Sequence, residues 1–319
     1  MTRGARGFAL IIVLWAGVLL GIIATSFAFT MRTETQLTAN TVQLARARAL
    51  ADAGIELGIL SLIQPPRGTV RWLTDGRVYT SALAGGTVRV RLLSENGKID
   101  LNSAPEGLIV GLLESLADVD ALALSADEAH GIADAIIDWR DADSRRRPRG
   151  AEDADYRGAG RAYGARDGAF LSVAELNQVL GMRADVYAAL APVVTVDSWM
   201  PQIDPGTASR RALLAVPGLD AGSVDAFLAM REAAYAGAEQ GAAEERDETR
   251  LPLELLSAGA RYLSRAKSRV YTVEAEGELA DGARARRRAV GRLTGDGNRP
   301  YTIVAWLDTV PDAEALTPQ

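Results

Sequence analysis

The chain begins with a long apolar run. From Gly7 to Met31 no side chain carries a charge. As an α-helix this run is roughly 36 Å long, enough to cross the hydrocarbon core of a bilayer. Because Arg3 and Arg6 precede it without a nearby acid, the positive-inside rule predicts a cytoplasmic start and a single crossing. The run exceeds the apolar core of a cleaved signal peptide. A simple signal anchor has the same hydrophobicity and therefore remains an alternative interpretation.

The apolar run continues into an amphipathic segment. Between Arg32 and Ile63, apolar or small residues recur at steps of three or four, sometimes doubled: Leu37, Thr41, Leu44, Ala51, Ile55, Ile59 and Leu62. Steps of this size place them on one face of a helix. Pro65 and Pro66 then end the pattern. The sequence therefore predicts one helix from Phe8 to about Ile63, on the order of 80 Å long, whose second half packs on a soluble domain.

Strand patterns flank a long segment without strands. Alternation predicts a strand at 86–93, a turn, and a partner strand that begins at 98–101. Further strand patterns occur at 269–275, 284–293 and 301–307. Residues between 102 and 265 read as helices and loops. The predicted fold class is α+β, with the long N-terminal helix packed on an antiparallel sheet that a large all-helical insertion interrupts.

The predicted insertion contains a weak internal repeat. Residues 99–104 (IDLNSA) resemble residues 203–208 (IDPGTA), which predicts two similar helical modules capped by Asn102, Ser103 or Thr207. The second module continues into VPGLD and resembles a helix-hairpin-helix that binds DNA phosphates. Asp220 stands where such a hairpin usually has its second glycine, and phosphate binding requires free amides and positive charge. A membrane-anchored DNA-binding protein is therefore the disfavoured alternative.

Composition removes several kinds of chemistry. The net charge is −6, which gives no general attraction for nucleic acid. No cysteine is present, so disulfides, thiolate metal sites and a cysteine nucleophile are excluded. His130 is the one histidine, which leaves almost no material for a histidine zinc cage or a serine–histidine triad. The sequence indicates a protein that is not an enzyme.

An acidic cluster is the strongest candidate binding site. Six carboxylates lie within eighteen residues: Asp138, Asp141, Asp143, Glu152, Asp153 and Asp155. Carboxylates on a flexible loop suit calcium, although the spacing is not that of an EF-hand. A solvated loop neutralised by the arginines at 145–149 explains the pattern at least as well. Asp141 and Glu152 also offer the carboxylate pair of a glycoside hydrolase, but aromatic residues are only 6% of the chain.

The N-terminus resembles type IV pilins and type II secretion pseudopilins. In that family a prepilin peptidase cuts after the glycine of the Arg6-Gly7-Phe8 type of junction and methylates the new amine. The resemblance implies cleavage between Gly7 and Phe8, which leaves 1–7 as a leader peptide. Ile12 stands at the fifth mature position, where the family usually has glutamate. The minor pseudopilin K family is known for lacking this glutamate, and a subunit at the filament tip has no neighbour above to pair with it.

Three internal motifs resemble the same K family, the general secretion pathway protein K family. They are residues 138–143 (DWRDAD), 150–156 (GAEDADY) and 170–176 (FLSVAEL). Some members bind calcium in this helical domain. The resemblance therefore implies that the six clustered carboxylates are the pool of ligands for a structural calcium ion.

The resemblance also implies the organisation and role of the whole chain. It implies a helix at 8–63 with its transmembrane part at 8–31, a pilin-like α+β domain at 64–101 and 266–310, a helical insertion at 102–265, and a tail at 311–319. A protein of this family is expected to cap the periplasmic pseudopilus tip and to support its assembly during export across the outer membrane. The expected partners are other minor pseudopilins, the prepilin peptidase, the inner-membrane secretion platform and the lipid bilayer, without nucleic acid. The expected location is the bacterial inner membrane, with the C-terminal domain in the periplasm.

Overall fold

The computed structural model describes residues 6–64, 72–83, 85–117, 122–239 and 253–309. The helices are α1 (Arg6–Ile63), α2 (Glu106–Ala117), α3 (Ala126–Arg140), α4 (Asp153–Gly158), α5 (Ala184–Leu190), α6 (Arg210–Leu214) and α7 (Ala221–Glu239). The strands are β1 (Asp75–Leu83), β2 (Gly86–Ser94), β3 (Ile99–Asp100), β4 (Val194–Thr195), β5 (Val270–Leu279), β6 (Arg284–Asp296) and β7 (Arg299–Thr309). Arg3, Pro65, Pro66 and the tail 311–319 lie outside the described residues.

The long helix α1 is continuous from the apolar run into the amphipathic segment. It contains a stretch that is long and apolar enough to cross a membrane, and no other part of the described chain covers that stretch. Threonine hydroxyls along it donate to the carbonyl four residues earlier, for example Thr25 Oγ1 to Gly21 O at 2.7 Å. Because these hydroxyls are bonded within the helix, they do not need water. Leu37 and Leu44 remain exposed and burial on the sheet begins at Ala47, so the predicted apolar face is longer than the part the sheet covers.

Five antiparallel strands form the main sheet, in the order β1-β2-β5-β6-β7. The adjacent strands β2 and β5 pair from Gly86↔Leu279 to Ser94↔Tyr271, although the whole insertion separates them in sequence. The prediction of one sheet interrupted by a helical insertion is therefore confirmed. Sequence reasoning missed β1, whose polar and small residues lack strong alternation.

The helix packs on β2, β5 and β6 through small residues. Leu50, Ile55 and Ile59 share a core with Val88, Val90 and Val273 in the facing strands. Gly54, Gly58 and Gly277 lie at the closest approach. A Cβ at Gly58 would lie 2.7 Å from Val273 Cγ1, and one at Gly277 would lie 2.6 Å from Ala47 O. Glycine therefore lets the backbones of α1 and β5 approach closely.

The insertion lies at the end of the sheet away from the membrane span. Along α1, Gly86 lies against Leu50, whereas Gly58 faces Val90 and Leu92. Strand β2 thus runs in the same direction as α1, away from the apolar span. Since β2 ends at Ser94 and β5 begins at Val270, the chain enters and leaves the insertion at this membrane-distal end.

The sheet face opposite α1 is covered by ion pairs. Glu276 on β5 is only 3% exposed and accepts from Arg89 of β2 at 3.0 Å and from Arg286 of β6 at 2.9 Å. Glu274 and Glu278 make similar pairs with neighbouring arginines. Rows of opposite charge across adjacent strands stabilise this face of the sheet.

The predicted hairpin partner at 98–101 is wrong. After β2 the chain forms a short 3₁₀ helix, Glu95–Gly97, and β3 then pairs in parallel with β4, with Ile99 opposite Val194. The position next to β2 is occupied by β5. Ile99 and Asp100 are both fully buried, because they belong to the core of the insertion and not to the main sheet.

The two sequence repeats are built around equivalent aspartates. Asp100 Oδ1 accepts from the Asn102 and Ser103 N–H groups at 2.9 and 3.0 Å. Asp204 Oδ1 accepts from Gly206 N–H at 2.9 Å. The predicted caps are therefore wrong, since these aspartates and not Asn102, Ser103 or Thr207 bond the turn amides, and Thr207 donates to Asp204. Helix α6 is capped instead by Ser209, which accepts from Ala212 N–H at 3.2 Å.

Each repeat is also closed by an arginine of its second helix, at the end of α3 in the first module and within α7 in the second. Arg140 on α3 and Arg231 on α7 each donate to two carbonyls, one and four residues after the aspartate. The acceptors are Leu101 O (2.5 Å) and Ala104 O (2.8 Å) for Arg140, and Pro205 O (2.8 Å) and Ala208 O (2.7 Å) for Arg231. Burial lowers the pKa of both guanidinium groups. The two modules thus share an aspartate that bonds the turn amides and an arginine that bonds the turn carbonyls.

Candidate functional site

The acidic cluster lies where α3 ends and its loop returns to α4. Ser125 and Glu128 form a capping box that fixes the start of α3. The helix then places Asp138 in the interior, where it is fully buried. Its two oxygens accept from Arg147 N–H at 3.3 and 3.2 Å. A side chain at Gly150 would clash with Asp138 Oδ2, so glycine is needed where the loop passes this carboxylate.

Two carboxylate oxygens in the cluster are buried without a hydrogen-bond partner. They are Asp141 Oδ1 and Glu152 Oε1. Glu152 is 7% exposed and lies directly before α4, while Asp141 directly follows α3. Such oxygens are costly unless a proton, a donor or a cation reaches them. They are the feature of this site that calls for a ligand.

The structure divides the six predicted carboxylates into two groups. Asp138, Asp141 and Glu152 interact electrostatically with one another, and Asp143 lies at their exposed rim. Asp153 instead pairs with Arg157 at 3.1 Å. Asp155 accepts from Glu152 N–H at 3.0 Å and pairs with Arg146 at 3.3 Å. Asp153 and Asp155 therefore stabilise α4 and its start.

Sequence reasoning missed one member of the group. Asp167 raises the pKa of both Asp141 and Glu152 through its charge. It has a left-handed backbone, with φ +52, and Gly168 N–H donates to Trp139 O at 3.4 Å. An Asp-Gly pair favours such a turn, but nothing local places that turn beside α3. We call Asp138, Asp141, Asp143, Glu152 and Asp167 the acidic pocket.

The acidic pocket favours neutral carboxyl groups. Burial, and after it the charge of Asp138 and Asp167, raises the pKa of Glu152 to about 7. Burial also raises the pKa of Asp138, with a further rise from Asp141 that opposes the hydrogen bond from Arg147 N–H. Burial, followed by the charge of Asp143, raises the pKa of Asp141. Near neutral pH these groups therefore repel one another when ionised.

The arginine run pairs mainly with carboxylates outside the acidic pocket. Arg147 contacts Glu106 at 2.5 Å and Asp134 at 3.0 Å. Arg146 contacts Asp155, and Arg149 contacts Asp127 at 3.3 Å. The arginine side chains of this loop therefore neutralise mainly the carboxylates around the acidic pocket. The carboxylates inside the pocket are neutralised much less.

The donor atoms of the acidic pocket are of the type that a hard cation prefers. They do not form a complete coordination sphere. The donors are carboxylate oxygens, which calcium prefers, and two of them are buried without a partner. In the described parts of the chain, however, no group of three or more acidic or histidine side chains is arranged closely enough to hold a metal ion. Carboxylate rotation or carbonyl and water oxygens would have to complete a site.

The carboxylate pair suggested for a glycoside hydrolase lacks a substrate cleft. Asp141 and Glu152 lie beside Trp139, Tyr156 and Phe170, and these three aromatic side chains are at most 3% exposed. They pack against one another, with ring centres 5.7 and 6.2 Å from Trp139. They form a core beneath the acidic pocket and do not line an open groove for a sugar.

The hairpin of the second module carries an acidic cap at the start of α7. Asp220, just before α7, accepts from Ser223 N–H at 3.0 Å and from the Ser223 hydroxyl at 2.8 Å. Gly218, at φ +89, faces Ala258 of the 3₁₀ helix Leu253–Tyr262. An acidic side chain thus stands at the start of α7, where a phosphate would have to bind. This geometry disfavours DNA binding by the hairpin.

The residues predicted to form the cleavage site lie at the start of α1. Gly7 and Phe8 belong to its first turns, and their side chains lie outside the described residues. Ile12 is described and is 53% exposed on the helix surface. No acidic side chain occurs in α1 before Glu34. The span therefore presents a purely uncharged surface to lipid or to another helix.

Comparison with known proteins identifies the first part of the insertion. Residues 96–198 match the family model of the type II secretion system (T2SS) protein K. We call these residues the protein K domain, after the family model that they match. This match contains β3, β4, the acidic pocket and the aspartate and arginine of the first module. The predicted resemblance to the minor pseudopilin K family is confirmed.

A solved structure supports the same assignment of the fold. It is the GspK-GspI-GspJ complex from the enterotoxigenic Escherichia coli type 2 secretion system. A chain of that complex matches with a TM-score of 0.55 and 18% identity, covering 88% of this chain and 99% of that one. No curated protein sequence matches the chain significantly. The shared fold confirms the predicted α+β class around the protein K domain.

Proposed function

We propose that this chain is a minor pseudopilin that caps the tip of a type II secretion pseudopilus. The observation that carries the proposal is the position of the protein K domain at the membrane-distal end of α1 and the sheet. A filament that grows from the membrane must stack each earlier subunit beyond this end. The insertion fills that space, so it prevents a further subunit from docking there.

The proposal includes other minor pseudopilins as partners. The structural neighbour comes from a complex of GspK with GspI and GspJ, and the same fold supports an equivalent assembly here. The uncharged α1 span supports an inner-membrane location with a periplasmic C-terminal part. In this role the chain acts by assembly, and no catalytic step is assigned to it.

Antibody labelling of the filament tests the capping role. Pseudopili sheared from cells that overproduce the major subunit are labelled with gold-tagged antibody against residues 96–198. We expect label at one end of each filament, because the insertion blocks addition beyond it. An antibody against the major subunit is the control and should label the full length. Label for this chain distributed along the filament would contradict the proposal.

Processing of the N-terminus is a second part of the proposal. Cleavage between Gly7 and Phe8 should produce a mature chain that begins with Phe8. The Gly7→Leu variant should remain entirely as precursor in the membrane, because a bulky residue replaces the glycine at the cut. Intact-mass measurement of the purified chain distinguishes the two forms. Gly4→Leu, in the same leader, is the matched control and should be cut normally. A mature-sized Gly7→Leu chain would overturn the assignment.

We also propose that the acidic pocket binds a structural calcium ion. The specific support is Glu152, which is almost fully buried and has an oxygen without a partner. Asp138, Asp141, Asp143 and Asp167 supply the surrounding charge. A bound cation would offset their mutual repulsion and hold the loop between α3 and α4 in place. Asp153 and Asp155 would act through the conformation of α4.

A further inference from the structure

Leu171 and Trp199 are the two most exposed large apolar side chains on the described part of the insertion. Leu171 is 73% exposed and Trp199 is 58% exposed. They are far apart in sequence, in two loops of the insertion. Single exposed apolar residues are common and need no explanation. Two exposed apolar residues that are held by the same turn do need an explanation.

A single turn fixes both loops. Asp100, which is fully buried, accepts from Trp199 N–H at 2.8 Å and from the Ser198 hydroxyl at 3.0 Å through Oδ2. Two residues later, the Asn102 amide bonds both backbone groups of Phe170, the residue before Leu171, at 2.7 and 3.0 Å. The side chains of this turn thus fix the backbone beside each exposed residue.

The backbone at Trp199 is strained as well as exposed. Its φ is +53, in the left-handed region that a large L-residue avoids. Glycine would occupy this position without strain, and a polar residue would suit its exposure. Strained residues held by buried partners occur mainly at functional sites. The strain at Trp199 therefore needs a function that an indole serves.

The position and charge of the insertion limit the kind of partner. The site belongs to the membrane-distal domain, so the lipid bilayer is out of reach. Between residues 102 and 265 the chain has 27 acidic and 16 basic residues. Such surroundings repel nucleic acid and anionic lipid and attract basic protein surfaces.

We propose that Leu171 and Trp199 form a docking site for a protein beyond the filament tip. The partner would have an apolar pocket for the indole, bordered by lysine or arginine side chains. Tryptophan is among the residues that most often dominate a protein interface. The rigid turn lowers the entropy cost of presenting it. This inference rests on the proposed capping role and extends it. The subunit at the tip of the filament is the one that contacts a protein beyond the tip.

Photo-crosslinking in secreting cells tests the docking site. The full-length chain carries p-benzoylphenylalanine at position 172, in place of the exposed Ser172 beside Leu171, in its native membrane. We expect one protein adduct, and Trp199→Gly should reduce its yield by about 30-fold, the weakening typical of a lost interface hot spot. The probe placed at Met230, which is 52% exposed on α7, is the control and should not give this adduct. An unchanged yield in Trp199→Gly, or an adduct with lipid, overturns the proposal.

The Trp199→Gly variant separates docking from folding. Glycine suits the left-handed backbone, so thermal stability should equal or exceed that of the parent chain. Secretion into the medium should fall by about tenfold or more, the effect of weakening one essential contact by about 1.4 kcal/mol or more. Parental secretion by this variant, with normal label at the filament tip, would refute the docking site alone. Absence of tip label in the parent chain would refute the capping role instead.

Discussion

Replacing Gly277 with valine is expected to destabilise the pilin-like domain by about 3 kcal/mol, the upper part of the range for overpacking a core. A Cβ at this position would lie 2.6 Å from Ala47 O and 2.8 Å from Ala51 N. Both atoms belong to the α1 backbone and cannot rotate away as a side chain would. The helix must therefore lift from β5, which loosens the core around Leu50.

The effect is measured by thermal unfolding of the detergent-solubilised full chain. For a chain of this size we expect a loss of roughly 4–6 °C in Tm. Gly291→Val is the matched control, because Gly291 is also in a strand and has nothing within 4 Å of an added Cβ. Equal Tm values for the two variants would show that α1 does not approach β5 as closely as the structure indicates.

Local pattern was sufficient for the main architecture. Uniform apolarity followed by a three- to four-residue period predicted α1, and alternation predicted β2 and the three strands after the insertion. These patterns arise because one face of each helix or strand is buried. The residues of a single element are enough to show which face that is. The end of the apolar face was harder to place. Leu37 and Leu44 fit the period but lie beyond the sheet.

Contacts between distant segments were not predictable in this way. Ile99 and Val194 pair in parallel although nearly the whole protein K domain separates them. Asp167 enters the acidic pocket because Gly168 bonds Trp139, and no spacing rule joins those positions. The repeat was visible at its aspartates. The arginines that close each module were not, because they lie at different distances along the chain.

Stability of the calcium-free chain should decrease as pH rises from about 4.5 through about 7. The pKa of Glu152 is raised from 4.5 to about 7 in the folded chain, so the folded state holds a proton that the unfolded state releases. Below pH 4.5 both states are protonated and the group has no effect. Above pH 7 the folded state carries the full penalty, about 3 kcal/mol at 1.36 kcal/mol per pKa unit.

The Glu152→Gln variant removes this penalty because glutamine does not ionise. In chelator at pH 8 its Tm should exceed that of the parent chain by roughly 4–6 °C, and the difference should vanish near pH 4. Calcium should stabilise the parent at pH 8 and should have little effect on Glu152→Gln. Asp153→Asn is the matched control, since Asp153 is outside the acidic pocket, and it should respond to calcium as the parent does.

Calorimetry distinguishes the electrostatic claim from the calcium claim. If the parent chain releases or absorbs no heat with calcium at pH 8, the cation proposal fails. The pH dependence would then still stand as evidence for a buried, repelling acidic pocket. If calcium binds the parent and not the Asp141→Ala, Glu152→Ala double variant, both claims hold. A Glu152→Gln chain less stable than the parent in chelator at pH 8 would contradict the electrostatic claim itself, because it would mean that ionised Glu152 stabilises the fold.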